Sequence, residues 1–193
     1  MSNGGSGGSG GGNGPAPRKL IKDITTENLG GNGKPEFFSV RGTVTFFRGW
    51  EDPEHKWQYP SNPETKKKVT LQGDQWWDES ANKSIETCLR RYVLSLACAD
   101  HTGTNWFTAF DDQAAMILKK SADDLYMLSE SDPPAARSVW KSAMLKPYVL
   151  RVRAKAETYN DEQRVKYSLV GVEPLSFRNE GQTLLEQIRK YVG

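Results

Sequence analysis

Three cationic residues that alternate along one segment are the first candidates for chemistry. Arg151, Arg153 and Lys155 are each followed by a small or apolar residue, and side chains alternate between the two faces of a β-strand. One face of the predicted strand therefore carries three positive charges. Such a face suits contact with phosphate groups, and it is equally typical of a strand exposed to solvent. The pattern alone leaves both interpretations open.

Other segments supply further groups that suit a nucleic acid. Binding to a single strand requires cations for the backbone and aromatic rings on which bases stack. The candidates are Lys67, Lys68, Trp77, Arg90, Arg91, Trp106, Phe110, Tyr159 and Lys166. Each has a structural alternative. For Trp106 and Phe110 the alternative is packing in the core. For Lys67 and Lys68 it is an ordinary solvated run, and for Tyr159 it is closure of a turn.

The composition limits the possible functions without identifying a partner. The chain has 193 residues and a formal net charge of +2, so a basic surface must arise from local clustering. No apolar run approaches the roughly 20 residues that span a bilayer, and no membrane partner is expected. Cys88 and Cys98 are predicted to be buried, reduced thiols. His55 and His101 have no Ser or Cys partner at useful spacing, so the sequence predicts a binding protein rather than an enzyme.

The periodicity of the sequence predicts five strands, a helical segment and a terminal helix. The strands are predicted at Phe37–Phe47, Leu89–Ala97, Asn105–Phe110, Tyr148–Ala156 and Arg164–Val172. Apolar residues at helical spacing occupy 111–146, between strands 3 and 4. Residues 1–17 are predicted to be a flexible Gly/Ser linker or tag, residues 18–33 an extended lead-in, and residues 48–87 a long insertion between strands 1 and 2.

This order of elements predicts a mainly β protein, a five-stranded OB-fold barrel. The barrel domain is predicted over residues 18–178, with the long insertion at 48–87. An amphipathic helix is predicted within 179–193. An OB-fold binds oligonucleotides on the face of strands 2 and 3, between the loops after strands 1 and 4. The cationic face of strand 4 runs towards the second of these loops.

Over residues 18–193, the chain resembles the C-terminal OB domain of the large subunit of replication protein A. The resemblance rests on motifs in four strands and the insertion, together with the order of the elements. These motifs are Phe37-Phe38-Ser39-Val40, Lys67-Lys68-Val69, Tyr92-Val93-Leu94-Ser95, Asn105-Trp106, and Arg151-Val152-Arg153 through Glu157-Thr158-Tyr159-Asn160-Asp161-Glu162. The resemblance implies a module that binds single-stranded DNA in replication, repair and recombination, in the nucleus.

The same resemblance implies a second role, for the terminal helix. In this family the helix packs with equivalent helices of the middle and small subunits to form a heterotrimer. The apolar stripe that would carry this contact is Leu184, Leu185, Ile188 and Tyr191. The alternative is that the stripe packs on the barrel of its own chain.

One departure from the family concerns a metal. The family carries a zinc ribbon between strands 1 and 2, held by four cysteines. The matching positions here are Asn62, Thr65, Asp78 and Ala81, at the spacing ligand, two residues, ligand, twelve residues, ligand, two residues, ligand. Structural zinc requires four thiolate, imidazole or carboxylate ligands, so no zinc and no other cofactor is expected. Without metal, the insertion is expected either to be held by its aromatic residues or to be mobile.

Two functions from different classes follow. The first is a single-stranded DNA-binding module of a replication protein A large subunit. The second is an assembly or scaffold module in which DNA binding is vestigial because the ribbon is degraded. A paralogue in a telomeric or meiotic complex shares the chemistry of the first.

Overall fold

The computed structural model describes residues 16–51, 56–159 and 162–192. Within these ranges the chain forms ten strands and five helices. The strands are β1 (Arg18–Lys19), β2 (Glu36–Phe47), β3 (Gln58–Ser61), β4 (Thr70–Gln72), β5 (Gln75–Asp78), β6 (Lys83–Ile85), β7 (Leu89–Asp100), β8 (Gly103–Phe110), β9 (Lys146–Tyr159) and β10 (Glu162–Pro174). The helices are α1 (Ile21–Thr26), α2 (Asp111–Leu118), α3 (Ala122–Ser131), α4 (Pro133–Ala143) and α5 (Phe177–Val192). The predicted linker at 1–17 lies outside the described residues except for Ala16 and Pro17.

The five long strands pair in a ring. β2 is hydrogen-bonded to β9, β9 to β10, β10 to β8, β8 to β7, and β7 back to β2. All of these pairings are antiparallel except that of β10 with β8, which is parallel. Each observed strand contains its predicted counterpart. The predicted mainly β fold, with a helix-bearing connection between strands 3 and 4 and a C-terminal helix, is confirmed.

Alternation along the strands separates the core from the outer face. In β9 the side chains of Leu150, Val152 and Ala154 are fully buried, whereas Arg151 is exposed and Arg153 is half-buried. This is the arrangement that the period of two predicts. The apolar side of β9 therefore fixes its cationic side on the outside of the barrel.

The helices α2, α3 and α4 close one end of the barrel. Ser121 caps α3 by accepting a hydrogen bond from the Asp124 backbone N–H at 3.1 Å, and Asp132 caps α4 in the same way. Trp140 of α4 is 3% exposed and packs edge-on against Phe47, with ring centroids 5.3 Å apart. The predicted helical segment is thus three helices, of which α3 and α4 have side-chain N-caps.

The lead-in at 18–33 was predicted to be extended. This prediction is wrong, because the segment contains the helix α1. The six residues of α1 bury Ile21 and Ile24 against the barrel. The Asp23 carboxylate accepts a hydrogen bond from the Leu20 backbone N–H at 2.8 Å, which stabilises the first turn. A helix of this length depends on such tertiary contacts rather than on its intrinsic propensity.

The insertion between β2 and β7 is an ordered ribbon over residues 58–85. β3 extends the barrel sheet by pairing with β7, and β4, β5 and β6 form a separate three-stranded antiparallel sheet. Trp57 precedes the ribbon and packs against Tyr92 and Trp140, with ring centroids 5.7 and 5.5 Å apart. This packing connects the base of the insertion to the core.

The C-terminal helix α5 leaves its apolar stripe exposed. Leu184, Leu185, Ile188 and Tyr191 are 47%, 55%, 55% and 92% exposed. Glu180, near the start of α5, is 8% exposed because it forms ion pairs with Arg18 and Arg41. The helix is therefore attached at its first turn, and the alternative that the stripe packs on its own barrel is not what the structure shows.

Candidate nucleic-acid interface

Three aromatic side chains form an aromatic face on the outside of the barrel: Phe46 of β2, and Trp106 and Phe110 of β8. They are 44%, 40% and 37% exposed. Phe46 and Trp106 meet edge to face, with centroids 6.3 Å apart. The neighbouring residues Phe107 and Ala109 point inward and are buried. For Trp106 and Phe110, the structure selects the exposed position over the alternative of packing in the core.

A β-bulge places Phe46 on this face. Val44 pairs with Cys98, and Phe46 pairs with the adjacent residue Ala97, so one extra residue is inserted in β2. Strict alternation would place Phe46 on the buried side with Val44. The bulge instead turns Phe46 outward, and it places Phe47 in the core at 0% exposure.

Two cations lie against the aromatic face. The Arg48 guanidinium lies 4.5 Å from the centroid of the Trp106 ring, and the Lys166 ammonium lies 5.4 Å from that of Phe110. Both distances are in the range of cation–π attraction. The aromatic rings and the positive charges therefore belong to one continuous surface, on which a base and its phosphate would meet neighbouring groups.

The cationic side of β9 adjoins the aromatic face through β10. Lys155 lies directly opposite Lys166 in the β9–β10 ladder, and Arg153 lies opposite Ser168, which in turn pairs with Thr108 of β8. Arg151, further along β9, is exposed. Like charges that face each other across two strands are destabilising. Within the described residues, no carboxylate lies within ion-pair distance of any of these four cations.

A cleft of about 460 Å³ lies between β8 and β10 at the centre of this surface. Its walls include Trp106, Asn105, Arg164, Lys166 and Tyr167. Tyr167 packs against Phe107 with centroids 6.3 Å apart, and burial raises the pKa of its phenol. Tyr167 therefore forms the floor of the cleft, and the side chains around it supply the cations of Arg164 and Lys166, the carboxylate of Glu157 and hydrogen-bonding groups.

Arg90 and Arg91 have partners within their own chain. The Arg90 guanidinium lies 3.4 Å from the centroid of the Tyr126 ring and 3.7 Å from Asp123. Arg91 forms an ion pair of 2.9 Å with Asp111. Both arginines are only 21% exposed at the side chain. Their positive charge is largely neutralised where they lie, so their contact with DNA remains a prediction that the geometry favours less than that of Lys155 and Lys166.

The remaining predicted contacts lie on the ribbon and at the end of β9. Lys67 and Lys68 are exposed in the segment between β3 and β4, and Trp77 is half-buried in β5. The side chain of Tyr159 lies outside the described part of the chain. These residues are not part of the aromatic face, and their role stays a prediction.

A carboxylate lies at the centre of the ribbon, among the positions that match the zinc ligands. Asp78 is fully buried, and its Oδ2 accepts hydrogen bonds from the Asn62 amide at 2.6 Å and the Thr65 hydroxyl at 2.7 Å. Its Oδ1 accepts from the Ser80 hydroxyl and backbone N–H, at 2.6 and 2.9 Å, and from the Ala81 N–H at 3.2 Å. The bonds from Ser80 and Thr65 are the main cause of an Asp78 pKa well below its ordinary value.

The cysteines lie away from the interface. Cys98 is buried in β7, where burial and the nearby Asp100 raise its pKa to about 12. Cys88 is half-buried rather than fully buried, and burial also raises its pKa. Both are free thiols, as the sequence predicted.

Comparison with known proteins identifies the family. Residues 37–184 match the family described as the replication factor-A C terminal domain. The chain belongs to this family. Replication factor A protein 1 of Schizosaccharomyces pombe is 33% identical over 90% of the chain, and the mouse replication protein A 70 kDa DNA-binding subunit is 32% identical over 93%. The chain spans 28% of the length of each of these relatives.

Two solved structures of replication protein A have the same fold. A chain of yeast replication protein A bound to single-stranded DNA superimposes with a TM-score of 0.77 at 32% identity, covering 91% of this chain and 98% of that one. A replication protein A heterotrimer bound to single-stranded DNA gives a TM-score of 0.82 at 32% identity, covering 91% of this chain and 40% of the matched chain. The predicted resemblance to the C-terminal OB domain is thereby confirmed.

Sequence reasoning missed three residues of this interface. Phe46 lies near the end of β2, Arg48 directly follows this strand, and Arg164 lies on β10 beside the cleft, where it forms an ion pair with Glu162. The bulge that exposes Phe46 has no local signature in the sequence. For Arg48 and Arg164, the available signal was their position at the ends of the loops that flank the binding face of an OB-fold.

Proposed function

We propose that this chain is a single-stranded DNA-binding module of a replication protein A large subunit. The observation that carries the proposal is the unneutralised pair Lys155 and Lys166, which lie opposite each other and adjoin the aromatic face. Two lysines held together without a carboxylate destabilise the free protein. A phosphate backbone that passes between them removes this repulsion.

Each part of the interface has a separate task in this proposal. Trp106 and Phe46 supply exposed rings for base stacking, which tolerates every base because every base has a π-face. Lys155, Lys166 and Arg153 neutralise phosphates and so give a binding energy that falls with salt. A duplex, whose bases are already stacked and paired, leaves the aromatic face without a ligand.

The proposed role is binding rather than catalysis. Asp111, an acidic residue close to the interface, accepts a hydrogen bond from the Tyr92 backbone N–H at 3.1 Å and forms an ion pair with Arg91. These contacts give it a structural task. The names of the relatives describe DNA-binding replication proteins, and we place the activity of this chain in the nucleus.

Fluorescence anisotropy of a labelled oligo-dT tests the binding proposal. We expect salt-sensitive binding to the single strand, weaker binding to a duplex of equal length, and severe loss of binding in the double variant Lys155→Glu, Lys166→Glu. Its matched control is Lys22→Glu, Lys141→Glu, which changes the charge equally at two exposed helical positions. Equal binding by both double variants, with both folded, would contradict the assignment of the interface.

We also propose that α5 joins this chain to the middle and small subunits of a heterotrimer. The supporting observation is the exposed stripe of Leu184, Leu185, Ile188 and Tyr191, since an apolar face of this kind is typical of a protein interface. The test is co-purification of the three subunits. Leu185→Asp is expected to abolish it and Gln182→Asp, an exposed position outside the stripe, to preserve it, while neither changes oligo-dT binding.

The alternative of an assembly module with vestigial DNA binding predicts a different pattern. In that case Leu185→Asp disrupts the complex, but the charge reversals at Lys155 and Lys166 change neither oligo-dT binding nor co-purification of the subunits. A telomeric or meiotic paralogue shares the interface and differs in its partners. Affinity capture with the middle and small subunits of replication protein A, beside their telomeric counterparts, separates these two assignments.

A further inference from the structure

The family implies a zinc ion in the ribbon, and the residues of this chain do not fit one. The four matching positions hold Asn62, Thr65, Asp78 and Ala81. Ala81 has no ligand atom, and the Asn62 amide and the Thr65 hydroxyl both donate hydrogen bonds to Asp78. Within the described residues, no three His, Cys, Asp or Glu side chains lie close enough to hold a metal.

The Asp78 carboxylate occupies the structural place that a metal would take. A structural zinc connects two turns, each of which supplies a pair of ligands. Here Oδ2 of Asp78 binds the first turn through Asn62 and Thr65, and Oδ1 binds the second through Ser80 and Ala81. One carboxylate therefore connects the same two turns, with its two oxygens divided between them.

Secondary hydrogen bonds hold the donors of this cluster in place. The Asn62 Oδ1 accepts from the Glu64 N–H at 2.8 Å, which fixes the orientation of the amide so that its NH₂ faces Asp78. The Thr65 Oγ1 accepts from the Lys67 N–H at 3.3 Å. Asn62 is 1% exposed. The buried charge therefore has a complete set of donors, which is the condition under which such a charge is tolerated.

We propose that Asp78 replaces zinc as the centre of this ribbon, so that the ribbon folds and presents Lys66, Lys67 and Lys68 without any metal. The three-stranded sheet of β4, β5 and β6 and the bridge between Ser61 and Lys68 are the structure that this centre holds. The proposal concerns how the ribbon is held, and it stands whether or not the lysines contact DNA.

Metal content and chelation give the first test. We expect the purified chain to hold no stoichiometric zinc by elemental mass spectrometry, and its melting temperature to be unchanged by 1,10-phenanthroline. One zinc per chain, together with a lower melting temperature in the chelator, would overturn the proposal.

Substitution of the carboxylate gives the second test. In Asp78→Asn the side chain has one acceptor oxygen, and its NH₂ cannot accept a hydrogen bond from the Asn62 amide or from the Ser80 and Ala81 backbone N–H groups, so the N–H donors of one turn lose their acceptor. We expect tryptic cleavage within Lys66–Lys68 to become at least roughly tenfold faster, because hydrogen bonds to a buried charge are strong. The matched control is Asp74→Asn, an exposed position between β4 and β5. Equal cleavage of the two variants and the unaltered chain would refute a central role for Asp78.

Reconstruction of the metal site gives the third test. The variant Asn62→Cys, Thr65→Cys, Asp78→Cys, Ala81→Cys is expected to bind one zinc per chain and to lose its protease resistance in the chelator. Co²⁺ in place of zinc reports tetrahedral thiolate ligation by its visible absorption. A four-cysteine chain that is folded but binds no metal would show that these positions are not equivalent to the zinc ligands, and would contradict the replacement. Should that variant not fold, the first two tests decide the question.

Discussion

Removal of the Trp106 ring separates base stacking from fold stability. The ring contacts Phe46 edge to face at 6.3 Å and Arg48 at 4.5 Å. Loss of the aromatic pair lowers the free energy of unfolding by about 0.5–1.5 kcal/mol, and loss of the cation–π contact by about 0.5–1 kcal/mol. These two contacts sum to about 1–2.5 kcal/mol, and loss of the buried part of the ring, which is 40% exposed, adds roughly 2–3 kcal/mol. The total of about 3–5.5 kcal/mol lowers the melting temperature of a domain of this size by about 6–22 °C, and it is at or below the roughly 5–15 kcal/mol of stability typical of a native domain. Trp106→Ala is therefore expected to remain folded.

The same substitution removes one stacking surface for DNA. A stacked base contributes about 1–3 kcal/mol, so the dissociation constant for oligo-dT is expected to rise by about 5- to 150-fold. Trp106→Phe keeps an aromatic plate and is expected to show a smaller rise. The assay is anisotropy at constant salt, beside a thermal melt of each variant. An unchanged dissociation constant for a folded Trp106→Ala chain would refute the aromatic face as a stacking platform.

Three further outcomes follow from the charges and thiols of the chain. Lys155→Gln is expected to raise the free energy of unfolding by about 0.2–1 kcal/mol, because it removes the repulsion from Lys166, and a denaturant melt measures this change. The same substitution is expected to lower the log–log salt slope of oligo-dT binding by about 0.7, which a salt titration measures. Cys98, with its raised pKa, is expected to resist iodoacetamide in the folded chain and to react once the chain is unfolded, as peptide mass spectrometry would detect. Because the pKa of Asp78 is lower in the folded than in the unfolded state, its stabilisation is present above the ordinary carboxyl pKa of 3.8 and is lost below it. The thermal stability of the unaltered chain is thus expected to fall more steeply with acidification than that of Asp78→Asn.

The sequence predicted the barrel because its strands follow a simple period. In β9, Leu150 and Val152 alternate with Arg151 and Arg153, and one buried face suffices to fix the direction of every side chain. Phe46 departs from this rule because the bulge in β2 depends on pairing with β7. Helix α1 forms where an extended lead-in was predicted, because its six residues are stabilised by contacts with residues that are distant in sequence.

The sequence indicated which side chains of the strands face outward, but it did not indicate contacts between residues that are distant in sequence. Arg91 lies 20 residues before its ion-pair partner Asp111, and no local pattern indicates that pairing. The sequence likewise showed that zinc ligands are missing, but it did not show what replaces them. The bonds of Asp78 to Asn62 and Thr65 exist only once β5 has folded beside the turn after β3.

The candidate cleft lies at the parallel contact between β8 and β10, which is the shortest strand pairing of the ring in the described residues. Ser168 and Thr108 form its single paired position in the described residues, whereas the neighbouring β9–β10 and β7–β8 ladders run along most of their strands. Local opening is easier where fewer contacts hold two elements together. A DNA strand that contacts Lys166 on β10 and Trp106 on β8 would hold these two strands together. DNA binding is then expected to stabilise the closed barrel against local opening between β8 and β10.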